Sequence, residues 1–349
     1  EATIVSELMK FAEAGNLYRG SKPVMWSPVE ETALAEAEVE YEDITSTQID
    51  VAFEITESPI EELVGAHAVI WTTTPWTIPV NQALAYGPDI EYALISWPNA
   101  KYLVARELAT EFITRITTVP SGQPSEPWPD ADKWDENLQI FKGSDLAGTV
   151  ARHPMHHLGG FYAKPRPFLP GDFVTTDSGT GLVHMSPDHG EDDFYLCREN
   201  GIDPVFAVDD GGVYRDDWPW LGADDLDEDG KPRRRAVINP KFNAPDGPIC
   251  SDLSEAGALL SASADYKHSY PHSWRSKAKI IYRCTPQWFV PMDRDLGAES
   301  PHPDGEGSGE GERGGILREE RGGGGKEGRG RGGKGDSSTK RGRAEQQER

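Results

Sequence analysis

The final 56 residues, Arg294 to Arg349, hold 17 glycines, no aromatic side chain and very few aliphatic ones. Such a segment cannot bury enough apolar surface to offset the entropy of ordering its backbone, so 294–349 is predicted to be a low-complexity, disordered tail. Any core must come from residues 1–293, which leaves room for one large domain or two modest ones. No apolar run reaches membrane-spanning length, so no membrane contact and a cytoplasmic location are expected. Cys197, Cys250 and Cys284 are odd in number and widely spaced, which supports neither a disulfide framework nor a thiolate metal site. All three are predicted to be reduced and structural.

Charge divides the chain at the same place. The formal net charge is −24, and the tail is balanced at 12 basic and 12 acidic residues, so the 23 basic and 47 acidic residues upstream hold the whole excess. Binding to a polyanion rests largely on Lys and Arg contacts to phosphate, so this body is predicted to hold nucleic acid weakly by itself.

Patterning points to an α+β fold. Glu1 to Asn16 reads as an amphipathic helix, with Ile4, Leu8 and Phe11 on one stripe and Gly15 near its end. Lys22 to Val29 is extended around two prolines. From Asp50 onward short strands dominate: Val51–Ile55, Ala68–Thr73, Glu91–Trp97 and Lys101–Ala105, the last two joined as a hairpin through Pro98-Asn99-Ala100. Glu107 to Ile113 reads as a short helix and Pro120 to Asp135 as an acidic, proline-rich surface loop. Phe173–Thr176 and Gly181–Met185 flank the turn signal Asp177-Ser178-Gly179 and are predicted to pair as a second hairpin. The helix after them opens on Glu191, Asp192 and Asp193, favourable at the positive end of the helix dipole, and Gly201 can close it. Many short strands with few helices predict a barrel-like, β-rich domain with flanking helices.

The densest chemistry lies in two segments. Trp71-Thr72-Thr73-Thr74-Pro75-Trp76-Thr77-Ile78-Pro79-Val80-Asn81 sets several hydroxyls, two indoles and an amide around one turn. About a hundred residues later comes Gly179-Thr180-Gly181-Leu182-Val183-His184-Met185-Ser186-Pro187-Asp188-His189-Gly190-Glu191-Asp192-Asp193-Phe194. Taken alone, a threonine run reflects β-propensity, and an acidic cluster reflects favourable helix-start chemistry. Together the segments resemble the editing domain of isoleucyl-tRNA synthetases. Valyl and leucyl relatives carry Thr-Thr-Arg-Pro and then an acidic residue where this chain has Thr73-Thr74-Pro75-Trp76. Further matches at Ala33–Tyr41 and Tyr282–Phe289 extend the likeness over residues 1 to about 293.

The resemblance implies hydrolysis of the ester that joins a wrong amino acid, valine, to the terminal adenosine of isoleucine tRNA. It implies that Asp193 anchors the substrate's α-ammonium, and that Thr72, Thr73 and Thr74 position the ester and an attacking water. Trp76 and Asn81 would contact the substrate and its adenosine, and His184 would exclude isoleucine by its bulk. The implied layout is a connecting stem over 1–47, the editing domain over 48–240 and a returning stem over 241–293. The implied partner is tRNA for isoleucine mischarged with valine, with the remainder of a synthetase needed for tight binding. Full-length members use ATP and Mg, but neither His-Ile-Gly-His nor Lys-Met-Ser-Lys-Ser occurs here, so no amino-acid activation and no cofactor are expected. Many relatives also hold zinc on four cysteines; this chain has Ser27, Glu30, Ser273 and Ser276 at those positions, leaving no sulfur site.

Two other readings compete. His184, Asp188, His189, Asp192 and Asp193 suit a metal-dependent hydrolase, because histidines and carboxylates bind divalent cations. Arg329-Gly330-Arg331-Gly332-Gly333 has the composition of an RNA-binding module, which would leave the chain without hydrolytic activity, though no aromatic residue accompanies it. His153, His156 and His157 read as histidines of a surface loop.

Overall fold

The computed structural model describes residues 1–97, 99–117, 138–222, 226–231, 233 and 236–291. The expected disordered tail, its arginine-glycine run and the acidic loop at 120–135 lie outside the described residues. The described residues fall into two compact units, one holding Glu1–Tyr18 and 289–291, the other 19–288. In the first, helix α1 (Ala2–Glu13) forms as predicted, and Gly15, at φ +70°, leads the chain out of it. Its apolar stripe is not covered: Ile4, Val5, Leu8 and Met9 are all exposed.

The larger unit is organised by one strand. β3 (Val39–Glu57) has two different halves. Ile49, Val51, Phe53 and Ile55 alternate along its second half and are completely buried, the period-2 signal of a strand with one face in the core. Its first half is charged or hydroxylated and pairs antiparallel with β12 (Leu259–Ser273) as a long ribbon, with Val39 opposite Ser273 and Val51 opposite Leu259. The sequence pattern therefore revealed only Val51–Ile55, because Val39–Asp50 has no apolar alternation to read.

Around β3 the sheet runs in the order β11-β5-β10-β9-β3-β4-β7-β6-β8. These strands are β4 (His67–Thr72), β5 (Ala83–Tyr86), β6 (Glu91–Trp97), β7 (Ala100–Ala105), β8 (Gln139–Lys142), β9 (Val150–Arg152), β10 (Pro165–Pro170) and β11 (Leu182–Met185). β6 and β7 form the expected hairpin, with Trp97 opposite Ala100. A separate three-stranded sheet has the order β13 (Ile281–Phe289), β1 (Tyr18–Ser27), β2 (Thr32–Ala33). Helices α2 (Ala109–Thr117), α3 (Glu191–Glu199) and α4 (Pro248–Glu255) complete an α+β fold.

The β-rich α+β architecture is as expected, and its sheet is open: among the described residues no ladder joins β11 to β8, and β8 is an edge that exposes Gln139, Ile140 and Lys142 while offering the core only part of Phe141. Two expectations need correction. The hairpin at Asp177-Ser178-Gly179 does not form, since Phe173–Thr176 is not a strand and β11 pairs instead with β5, His184 opposite Leu84. The turn is held by other elements: Ala105 N donates to Thr180 O at 2.7 Å, and Arg115 donates to Gly179 O at 3.0 Å. Gly181 sits so close to β7 that a Cβ there would lie 2.3 Å from that of Ala105. Finally, His153 is not on a surface loop but fully buried, with Nε2 against the carbonyl of Ile78 at 3.0 Å.

The three cysteines are free and buried, and burial pushes the thiols of Cys250 and Cys284 up to about 12, as inert structural residues require. At the positions where cysteines would hold zinc, the Glu30 carboxylate accepts hydrogen bonds from the hydroxyls of Ser27 and Ser273 instead. This residue set offers no thiolate to a zinc ion. α2 is tied to β3 by the half-buried Arg115, whose guanidinium donates to both oxygens of the buried Asp50 at 2.8 and 2.9 Å as well as to Gly179 O. Burial raises the Asp50 pKa and the guanidinium opposes that rise. Arg115→Ala is expected to cost about 3–5 kcal/mol, because it strands a buried carboxylate. Urea unfolding of the variant checks this; an unchanged midpoint would show that the pair holds nothing in place.

Candidate functional site

β4 delivers the threonines. Its Ala68, Val69 and Ile70 are buried, and the strand stops at Thr72 because Pro75 lies just ahead. The residue before a proline is driven out of helical geometry, and Thr74 accordingly has φ −123° and ψ 72°. Pro75 then opens a 3₁₀ helix, Pro75–Val80, in which all six residues are buried. A buried turn needs partners for its backbone, and side chains from distant elements supply them. Tyr214 OH donates to Trp76 O, Tyr162 OH donates to Pro79 O at 2.9 Å, and His153 Nε2 donates to Ile78 O. Trp76 N donates to Asn243 Oδ1 at 3.2 Å.

Within the turn the hydroxyls form a chain. Thr72 Oγ1 lies 3.1 Å from Thr74 Oγ1, and Thr74 Oγ1 lies 3.5 Å from Thr77 Oγ1, since residues i and i+3 eclipse in a 3₁₀ helix. Thr77 Oγ1 donates to Thr74 O at 2.8 Å, which commits its one proton. Its oxygen must then accept in the 3.1 Å contact with His184 Nε2. The network therefore assigns the His184 proton to Nε2 and makes Nδ1 the acceptor nitrogen.

β11 carries His184, and two residues later Ser186 N donates to Asp193 Oδ2 at 2.8 Å. Asp193 stands in the first turn of α3, is 5% exposed, and joins an acidic helix start in which Glu191 and Asp192 face solvent. Gln82 N donates to Met185 O at 2.8 Å, which ties the end of the threonine turn to the end of β11. The rings of Trp76 and His189 meet edge to face, 4.6 Å apart. The threonine turn and the β11–α3 segment are thus direct neighbours. Asn81 is completely buried, donates to Ala83 O at 2.8 Å, and has no hydrogen-bond partner for Oδ1 among the described residues.

A cavity of about 320 Å³ opens on one side of the turn. Thr73, Thr74 and Trp76 line it, whereas Thr72, Asn81, His184 and Asp193 do not. Thr77, not singled out from the sequence, is the hinge of the arrangement. Its signal was the Thr-x-x-Thr spacing across Pro75, which a 3₁₀ helix brings onto one edge.

The metal-hydrolase arrangement is dispersed. Asp188 accepts from the backbone N–H groups of Val205 and Phe206 at 2.9 and 2.5 Å, pinning that segment. Burial raises its carboxyl to about 6 against those bonds. Among the described residues, no three His, Cys, Asp or Glu side chains gather in a metal-binding group. His189 donates through Nδ1 to Tyr282 O at 2.7 Å, and burial pulls its pKa down to about 4. Part of that residue remains exposed, but its Nε2 is covered, and the titration follows the nitrogens.

The family model for tRNA synthetases class I (I, L, M and V) matches residues 1–300. The chain belongs to the class I tRNA synthetases. It is 58% identical over 296 residues to an isoleucine–tRNA ligase of Zymomonas mobilis, covering 85% of this chain and 29% of that protein. Against an isoleucine–tRNA ligase of Gluconobacter oxydans it is 46% identical over 84% of this chain and 30% of the relative. The chain therefore spans about a third or less of the length of these relatives. Among solved structures, an editing domain of a cytosolic leucyl-tRNA synthetase from P. falciparum aligns with 44% of this synthetase chain and 65% of its own, at 13% identity and a TM-score of 0.31. No helix among the described residues is long and apolar enough to cross a membrane.

His189 provides a test of the site's burial. Its ring is expected to stay neutral at pH 5, where an exposed histidine is protonated, and to titrate near 4 when followed by NMR. Because the folded value lies below the unfolded one, the stability it contributes is complete above about pH 6.5 and declines as pH falls toward 4. A ring that protonates near 6.5 would show that its nitrogens reach solvent.

Proposed function

We propose that this chain hydrolyses the ester of valyl-tRNA for isoleucine, an editing reaction that needs neither ATP nor a metal ion. The observation that carries the reading is the 3.1 Å contact between Thr77 and His184, which joins the threonine turn to the strand leading into Asp193. In this layout residues 48–240 hold the hydrolytic site, and 1–47 and 241–293 are the outgoing and returning stem. The β3–β12 ribbon, which pairs Val39 with Ser273, supports that division.

The chemical need is a second sieve. An apolar pocket rejects a substrate lacking one methylene by only ~1–3 kcal/mol, a limit for which isoleucyl-tRNA synthetase is itself the standard illustration and which is not a value obtained from this chain. Every aminoacyl ester carries an α-ammonium beside its scissile carbonyl, and Asp193 is the anion suited to hold it. Its position at a helix start favours the carboxylate form. The hydroxyls of Thr72 to Thr74 position the ester and a water. Water adds to the carbonyl carbon, and the ribose oxygen leaves with the proton that the water gives up. His184, fixed by Thr77, presents a ring edge that leaves room for valine and not for isoleucine. Trp76 and Asn81 support the walls of the adenosine site.

The partner is tRNA for isoleucine mischarged with valine. With 47 acidic against 23 basic residues in its first 293, the chain relies on the remainder of a synthetase for tight tRNA binding. Neither ATP-handling signature is present in the sequence, so amino-acid activation is assigned elsewhere.

A deacylation assay with preformed valyl-tRNA tests the reading: release of valine well above the uncatalysed rate is expected, and turnover equal to buffer would end it. Asp193→Ala is expected to lose essentially all of that turnover while the fold is kept; retained turnover would remove the ammonium-anchor role. His184→Ala is expected to admit isoleucyl-tRNA as a substrate. A variant that still spares isoleucyl-tRNA contradicts the sieve.

A further inference from the structure

The cavity beside the threonine turn differs in charge from the rest of the molecule. Although residues 1–293 are acidic by two to one, none of its fifteen lining residues is Asp or Glu, and two of them are Lys241 and Lys279. The larger cavity, of about 730 Å³, has the opposite character, with Asp216, Asp217, Asp252 and Glu255 in its wall. A hole that excludes carboxylates in so acidic a body selects for an anion, because the surrounding field would otherwise repel one.

Both lysines are placed by the fold. Asn239 Oδ1 accepts from Lys241 N at 3.0 Å, and Asn243 in the same turn donates to Val237 O while accepting from Trp76 N. The Lys241 turn is therefore fastened to the threonine turn itself. Lys279 is half-buried, with its ammonium over the ring of Tyr270 at 5.3 Å, and burial lowers its pKa below the ordinary lysine value. Neither lysine has an ion pair among the described residues. Thr45, Ser46 and Thr47 of β3 line the same cavity as Thr73 and Thr74. At about 320 Å³ the space is at the lower end of small-ligand sites, which run from roughly 300 to 1,000 Å³.

We propose that Lys241 and Lys279 bind the phosphate of the 3′-terminal nucleotide of the RNA substrate in this cavity, against the threonine turn. The assignment rests on the editing reading above. It adds a contact that the threonines and Asp193 cannot supply, a cationic grip on the backbone of a single strand. Phosphate contacts fix position and register rather than sequence, which is what an ester beside Thr73 and Thr74 requires.

Binding of the RNA trinucleotide C-C-A to the full chain, measured from low to moderate salt, tests the proposal without any hydrolysis. Wild-type binding is expected to fall with salt, and Lys241→Gln and Lys279→Gln are each expected to weaken it about tenfold, the loss of one charge-assisted hydrogen bond. The double variant should also lose about 0.7 from the slope of log K against log salt, the single-strand value for one phosphate contact. Lys241→Arg, which keeps the charge, should keep the wild-type slope. A wild-type chain that does not bind the trinucleotide overturns the proposal, as does a double variant with the wild-type slope. Inorganic phosphate that competes as well as the trinucleotide also overturns it, since the cavity would then serve a free anion. Lysine-dependent binding without valyl-tRNA turnover would sink the hydrolytic reading and leave the phosphate site standing. Turnover that is lysine-independent would do the reverse.

Discussion

β3 is hydrogen-bonded along both edges, to β12 from Val39 to Val51, to β4 from Ile49 to Glu54, and to β9 at Ile55 and Glu57. Everything that positions the site depends on this pairing. Its buried face of Ile49, Val51, Phe53 and Ile55 nucleates the core, and a one-residue slip would turn those side chains outward. Its Asp50 holds Arg115, which in turn holds Gly179 ahead of β11. Its neighbour β4 ends in the threonines, so the register of one long strand sets where two distant motifs meet.

The threonine turn illustrates how burial and polarity are reconciled. Six consecutive residues of 3₁₀ helix lie in the interior, where unsatisfied carbonyls would each cost about 1–3 kcal/mol. Tyr214, Tyr162 and His153 meet three of them, and the Thr77 hydroxyl meets the carbonyl of Thr74 just ahead of the helix. The last bond has a chemical consequence, because a threonine that has committed its proton can only accept from His184. Structural satisfaction of the turn thereby sets the tautomer of the histidine. Elsewhere the Glu30 carboxylate bridges the hydroxyls of Ser27 and Ser273, a neutral-to-charged hydrogen-bonded tie between two distant segments.

Local features were legible in the sequence and non-local ones were not. The β6–β7 hairpin and α3 follow from short-range signals, a turn at Pro98-Asn99-Ala100 and three acidic residues opening a helix. The partner of β11 could not be read, because nothing near Gly181–Met185 announces β5, almost a hundred residues earlier. The burial of His153 has no local signal, since a histidine-rich stretch is polar by composition and only the fold brings the buried carbonyl of Ile78 to it. Thr77 lies within the threonine motif, yet its importance depends on a 3₁₀ turn rather than an extended strand. Lys241 and Lys279 belong to no motif; they line one cavity because the Asn243 turn and the segment between β12 and β13 both reach the same threonines.

On the proposed reading, the threonine turn and the carboxylate of α3 act on one bound ester. A crystal structure of the chain with a non-hydrolysable amide analogue of 3′-valyl-adenosine is the decisive measurement. Expected are the α-ammonium within ion-pair distance of Asp193, the isopropyl group against His184, and the carbonyl within hydrogen-bond reach of a threonine hydroxyl. An analogue seated in the acidic cavity beside Trp218 and Asp252, or one that leaves Asp193 bonded to Ser186 and out of contact, would contradict it.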